Sequence, residues 1–150
     1  SGSSRAGSPV SPSRMVWAGD RRTASLARPD YLVTVLPDTP ETRGLLDAKA
    51  WSRVKNNCFL VNVGRGTLID ELALVDALEG GQLAGAVLDV FRQEPLPQDS
   101  PLWRAPNLLL TAHIAAISRP SDIAGIFSEN YRRYCRGEPL KYRIDFDRGY

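Results

Sequence analysis

Histidine occurs once in this chain, at position 113, and cysteine only twice, at positions 58 and 135. Two thiols that far apart, with a single imidazole, offer no metal-ligand spacing and no disulfide framework. Cys58 falls in an apolar strand pattern and Cys135 in a helical one, so both read as reduced packing residues. Apolar runs are short, and none approaches the roughly 20 residues that span a bilayer. The start lacks the charged-then-apolar order of a secretory leader. An excess of one charge sign is missing as well. Nineteen basic residues against seventeen acidic ones leave +2, a balance that announces neither nucleic acid nor an anionic membrane as a partner. These absences point to a soluble, cytoplasmic globular protein. With 43% hydrophobic and 24% charged residues over 150 positions, the chain suits one domain with a buried core.

Residues 1–13, SGSSRAGSPVSPS, are almost all serine, glycine and proline. Such a stretch cannot bury enough surface to offset its ordering entropy, so it reads as a flexible leader. RMVWAG (14–19) is a short strand candidate before the turn GDRR. YLVTVLP (31–37) is a near-continuous apolar run without alternation, which predicts a strand buried on both faces. Leu45, Leu46, Ala50 and Val54 then fall at helical spacing. CFLVNV (58–63) is a second buried strand. After it Asp70 is an N-cap, Leu72, Leu74, Val75 and Leu78 form an apolar stripe, and Gly80-Gly81 stop the helix. LAGAVLDVF (83–91) and NLLLTAHI (107–114) are further strands. Ser121 to Cys135 carries a last helical pattern with Ile123, Ile126, Phe127 and Tyr131. Strands alternating with helices predict parallel pairing through right-handed crossovers. The expected fold is α/β, a doubly wound parallel sheet of the Rossmann-like kind, with strands near 31–36, 58–63, 85–89 and 107–111.

In such sheets ligands lie outside the carboxyl ends of the strands. Leu36-Pro37, Gly64-Arg65-Gly66, Asp89 and His113 all stand at or just past a strand's end, and Glu94 follows in a loop pinned by Pro95 and Pro97. Each has a plainer explanation alone. Arg65 suits a surface cation, His113 a packing residue, Glu94 a solvated loop carboxylate and Asp89 a turn cap. Trp103 and Arg119 fit pocket walls, but fit packing and surface charge equally well. Together, four ligand-grade groups converge on one edge. An arginine fork suits a carboxylate with a neighbouring carbonyl oxygen. A histidine with a carboxylate partner has a fixed ring orientation and can deliver a proton near neutral pH. Asp89 can accept from a carboxamide NH2. The set suits reduction of an α-keto acid, given a hydride donor.

VNVGRGTLIDELAL, AGAVLDVFRQEPLP with its following SPLW, and LLTAHIAAISRP closely resemble the NAD(P)-dependent D-2-hydroxyacid dehydrogenase family, in order and spacing, over about residues 31–135. PDTPETRGLL, PLPQDSPLW, the SRP after the histidine and the terminal DRGY are most similar to its glyoxylate/hydroxypyruvate reductases of the A type. The resemblance implies that Arg65 is the substrate-binding catalytic arginine, His113 the proton donor and Glu94 its partner. It places Asp89 against the nicotinamide carboxamide, with Leu36, Val63, Gly64, Ala115 and Ala116 lining the cofactor beside Arg65 and His113. The implied activity is NAD(P)-dependent reduction of a small 2-keto acid to the 2-hydroxy acid by a homodimer, with no metal. At the turn Gly19-Asp20-Arg21-Arg22 the two arginines favour NADP, while Asp20 keeps NAD open.

Two departures qualify the resemblance. No G-x-G-x-x-G occurs anywhere, so the diphosphate cradle at a helix N-terminus is missing, and the family's substrate domain has no counterpart. Residues 14–150 therefore read as a partial dinucleotide-binding domain with a C-terminal helix and tail, and activity is expected of the full-length protein only. The alternative is a non-catalytic dimerising or nucleotide-sensing module, like the family's co-repressors.

Overall fold

Four strands make one sheet in the computed structural model, which describes residues 26–116 and 118–147. The leader at 1–13, the strand expected at 14–19 and the turn at 19–22 lie outside the described residues. The strands are β1 (Tyr31–Thr34), β2 (Cys58–Asn62), β3 (Leu83–Leu88) and β4 (Leu108–Leu110), in the order β1-β2-β3-β4, and every pair is parallel. This is the arrangement that alternating strand and helix patterns predict.

Register assigns each side chain to a face. Leu32, Leu60, Ala86 and Leu108 form one cross-strand row, and Thr34, Asn62, Leu88 and Leu110 the next along the same face. Helices α1 (Ala48–Trp51) and α2 (Glu71–Glu79) cover this face, and Trp51, Leu74 and Leu78 join Leu60, Ala86 and Leu88 in one core. The opposite face carries the row Val33, Val61, Val87 and Leu109. Its two ends are open, with Val33 57% and Leu109 59% exposed. The expectation that β1 is buried on both faces is therefore wrong. An apolar run without alternation records the chemistry of both faces but not the strand's place, which among the described residues is the end of the sheet.

Local chemistry decides the helices. Asp70 caps α2 by accepting from the amides of Leu72 (3.1 Å) and Ala73 (3.2 Å), and Gly81, at φ +70°, turns the chain after it. The buried face of α2 is Leu74, Val75, Ala77 and Leu78. Leu72 is exposed, contrary to the expected stripe. It stands two residues from Leu74, about 200° around a helix of 3.6 residues per turn. The helix expected across Leu45 to Val54 contracts to α1. Leu46 instead pairs as an extended bridge with Ile69, its amide donating to Leu68 and its carbonyl accepting from Asp70 (both 3.0 Å).

The last helix, α3 (Pro120–Cys135), appears where its pattern predicts, yet none of its residues is buried. Ile123, Phe127 and Tyr131 lie exposed along it. Cys135 is likewise exposed and not a packing residue, whereas Cys58 is buried and its thiol pKa is pushed up by that burial. Among the described residues no helix is long and apolar enough to cross a membrane.

Candidate active site

Past the end of β2 the chain makes the turn Gly64-Arg65-Gly66, and both glycines are there for close approach. A β-carbon at Gly64 would lie 2.9 Å from the amide nitrogen and 3.0 Å from the carbonyl oxygen of Leu36. One at Gly66 would lie 1.9 Å from the carbonyl carbon of Phe91. The turn is thus wedged between the segment after β1 and the segment after β3, with Arg65 exposed between two contacts that no side chain fits. Gly66→Ala is expected to lower the unfolding free energy by about 3 kcal/mol, since backbone must move to make room. Denaturant midpoints measure this, and an unchanged midpoint would refute the close approach.

Arg65 has extended backbone at φ −140°, ψ 142°. Its Nη1 donates to the carbonyl of Gly64 at 2.8 Å, the only hydrogen bond its guanidinium makes among the described residues. Asp38, the acidic group whose field it feels, is already engaged. It receives the Arg43 fork at 2.8 and 3.1 Å and the Thr67 hydroxyl at 2.9 Å. Those bonds, with a smaller contribution from the charge of Arg65, hold its carboxyl below the usual range.

Beyond the strands the backbone ladder continues across the edge. The amide of Asp89 donates to Asn62 at 3.0 Å, and the amide of His113 donates to Asp89 at 2.8 Å. Asp89 is 2% exposed. Its Oδ1 accepts from the Thr111 hydroxyl and from the Ile114 amide at 2.9 Å, and its Oδ2 from the Ala115 amide at 2.9 Å. Burial alone would raise its pKa, but these bonds outweigh it and the carboxyl lies below its usual value. The carboxylate thereby shapes the loop on which His113, at φ +54°, stands.

His113 and Glu94 meet, as the residue types predict. Glu94 Oε2 lies 2.8 Å from His113 Nδ1, and its Oε1 accepts from the Phe91 amide at 2.9 Å. The histidine bond, followed by the Phe91 bond, lowers the glutamate's pKa. With Nδ1 facing the carboxylate, Nε2 is the ring nitrogen left to a ligand. Two strand spacings, roughly 10 Å, separate the ends of β2 and β4, past which Arg65 and His113 stand.

A family model described as D-isomer specific 2-hydroxyacid dehydrogenase, NAD binding domain, matches residues 7–115. The chain belongs to this family. A glyoxylate/hydroxypyruvate reductase A from Escherichia fergusonii is 38% identical over 147 residues, covering 93% of this chain and 47% of that protein. Among solved structures, a D-isomer specific 2-hydroxyacid dehydrogenase from Xanthobacter autotrophicus in complex with NADPH and MES superposes with TM-score 0.83 at 44% identity, covering 87% of this chain and 42% of that one. An NADPH-dependent glyoxylate/hydroxypyruvate reductase from Sinorhizobium meliloti, in complex with NADP and sulfate, gives TM-score 0.83 at 34% identity, with coverages of 93% and 48%. The chain spans about half the length of these relatives.

In this dehydrogenase-family domain the expected residues gather unevenly. Gly64 packs on Leu36, Val63 donates to Thr34 of β1 at 3.1 Å, and Ala115 is tied to Asp89, while Ala115 and Ala116 are both exposed. Trp103 is 55% exposed with its indole bonded to the Pro97 carbonyl at 2.8 Å, and Arg119 stands at the N-cap of α3 without a side-chain capping bond. Sequence reasoning missed three supports: Asn62, Thr111 and Glu71, whose Oε1 accepts from the Arg92 amide at 2.8 Å. Asn62 left a signal, a lone amide inside the apolar run CFLVNV, since a buried polar group must find partners.

Proposed function

We propose that this domain forms the nicotinamide end of an NADP- or NAD-dependent reductase that converts a small 2-keto acid, of the glyoxylate or hydroxypyruvate type, to the 2-hydroxy acid. The observation that carries the reading is the His113–Glu94 pair at 2.8 Å on the same sheet edge as the fork of Arg65, which meets no carboxylate among the described residues. Arg65 binds the substrate carboxylate and the neighbouring carbonyl oxygen, drawing electron density toward that oxygen. His113 donates a proton from Nε2 to it as the carbonyl carbon is reduced, and Glu94 holds the ring and offsets its charge. A nicotinamide held beside them would supply the hydride.

The residues present fit that group at one end. A carboxylate has about four acceptor sites, and Asp89 fills three of them internally. One remains on Oδ2 for a carboxamide NH2, beside the small exposed side chains of Ala115 and Ala116. Leu36, Val63 and Gly64 would close the opposite side. The names of the relatives, reductases bound to NADP or NADPH, support NADP first. The free thiols of Cys58 and Cys135 suit a reducing cytoplasm, and the exposed apolar residues of α3 support a homodimer.

The test is calorimetric titration of NADPH and NADH, followed by assay of glyoxylate and hydroxypyruvate reduction, on these 150 residues alone and on the product of the whole gene. Turnover is expected in the second. Weak binding and little turnover are expected in the first, which has no G-x-G-x-x-G to cradle a diphosphate. Cofactor binding without turnover in the gene product would favour a nucleotide-sensing module instead.

A further inference from the structure

We infer that Asn62 is the positioning residue that presents Arg65 to its substrate, an inference that rests on the role proposed for that arginine. Asn62 closes β2 on the covered face of the sheet and is fully buried, with 0% exposure. A buried primary amide carries two donors and two acceptor sites that are costly to leave unpaired. Its Oδ1 accepts from the Thr34 hydroxyl at 2.8 Å and from the Gly64 amide at 3.1 Å, and its Nδ2 donates to the Arg65 carbonyl at 3.1 Å.

Two of these three bonds thus grip the backbone on either side of the Gly64–Arg65 peptide. Gly64 needs that grip. Lacking a β-carbon, it can approach Leu36, but for the same reason it has the widest conformational freedom of any residue. Left loose, it would let the Arg65 fork swing. The guanidinium is anchored by one bond to the Gly64 carbonyl, so the orientation of that peptide sets the direction of the fork. A misplacement of about 1 Å at such a group can cost about a hundredfold in rate. The main-chain carbonyl of Asn62 also accepts from Asp89, the step from which the ladder runs on to His113. One residue therefore orients the arginine through its side chain and starts the path to the histidine through its backbone.

Thr34→Val is the control, since it removes one of the three bonds to the same buried amide but spares both grips on the turn. Oxalate, a planar mimic of a carboxylate beside a carbonyl, is titrated into the 15N-labelled chain while the Arg65 Nε–H and the Gly64 amide are followed by NMR. The wild type should bind saturably and Arg65→Ala should not. Asn62→Ala is expected to weaken oxalate about tenfold, to move the Arg65 Nε–H signal toward its freely rotating position, and to speed hydrogen exchange at Gly64. Thr34→Val should stay within about twofold of wild type, with the Arg65 signal in place. Wild-type oxalate affinity in Asn62→Ala, or equal losses in both variants, would overturn the inference and leave the role of Arg65 standing. Binding that survives Arg65→Ala would overturn that role and this inference together. If Asn62→Ala fails to fold, Asn62→Asp keeps the shape and the Oδ1 acceptor, turns an oxygen in place of the NH2 donor toward the Arg65 carbonyl when ionised, and is judged by the same outcomes.

Discussion

Replacing Arg65 by alanine should lower kcat/KM for glyoxylate by about 10² to 10³ in the product of the whole gene, the range seen when one preorganised donor to a developing oxyanion is removed. Stability should hardly change. The side chain is exposed, and such substitutions usually fall within about 0.5 kcal/mol of wild type. The effect is large because nothing among the described residues neutralises this cation. Asp38, the carboxylate it influences, is already held by the Arg43 fork and the Thr67 hydroxyl. Arg65→Lys should recover little, because an ammonium cannot reproduce a two-point fork. Steady-state kinetics beside thermal melts decide the matter, and turnover within twofold of wild type would remove Arg65 from the mechanism.

Why the Gly-Arg-Gly turn is readable in the amino-acid sequence, and the partners of Asn62 are not, comes down to the range of the interactions involved. A Gly-Arg-Gly turn after an apolar run is a local statement, as are the Asp70 cap and the stops at Gly80 and Gly81. The alternation of strand and helix patterns is nearly local too, so the parallel order of the four strands follows from it. Burial is another matter. Val33 and Val61 have the same chemistry and neighbouring places in one row, yet among the described residues only Val33 lies on an end strand, and only it is exposed. Leu46 had helical neighbours and took an extended bridge to Ile69 because two backbone bonds waited there. The supports of the site act at longer separations still. Glu71 reaches the Arg92 amide, Thr111 the Asp89 carboxylate, and Thr34 the amide of Asn62. Polar residues at those positions carry no mark in the chain that distinguishes a tether from a solvated surface group.

His113→Asn should lower kcat by about 10² to 10⁴, the usual contribution of a positioned proton donor, while the dissociation constant for NADPH changes little. Glu94→Gln should cost less. Its side chain is exposed, so the loss of a charge-assisted bond, discounted for solvent, amounts to about tenfold. The geometry gives that variant a particular fault. The Phe91 amide requires an acceptor at one terminal atom of residue 94, which leaves the glutamine NH2 facing Nδ1 of the histidine. Nδ1 must then accept, and the doubly protonated ring that donates at Nε2 is opposed by a donor instead of held by a carboxylate. The pH dependence has a definite sign. The bonds from His113 and Phe91 lower the pKa of Glu94, so its charge, and any stability drawn from it, is fully present above the ordinary glutamate pKa. Both are lost as pH falls through the depressed folded value. The rate difference between wild type and Glu94→Gln should therefore persist below the ordinary glutamate pKa and close only as the native glutamate becomes neutral. Rate profiles that already merge above about pH 5, higher than an ordinary glutamate titrates, would show that the charge of Glu94 does not act on His113.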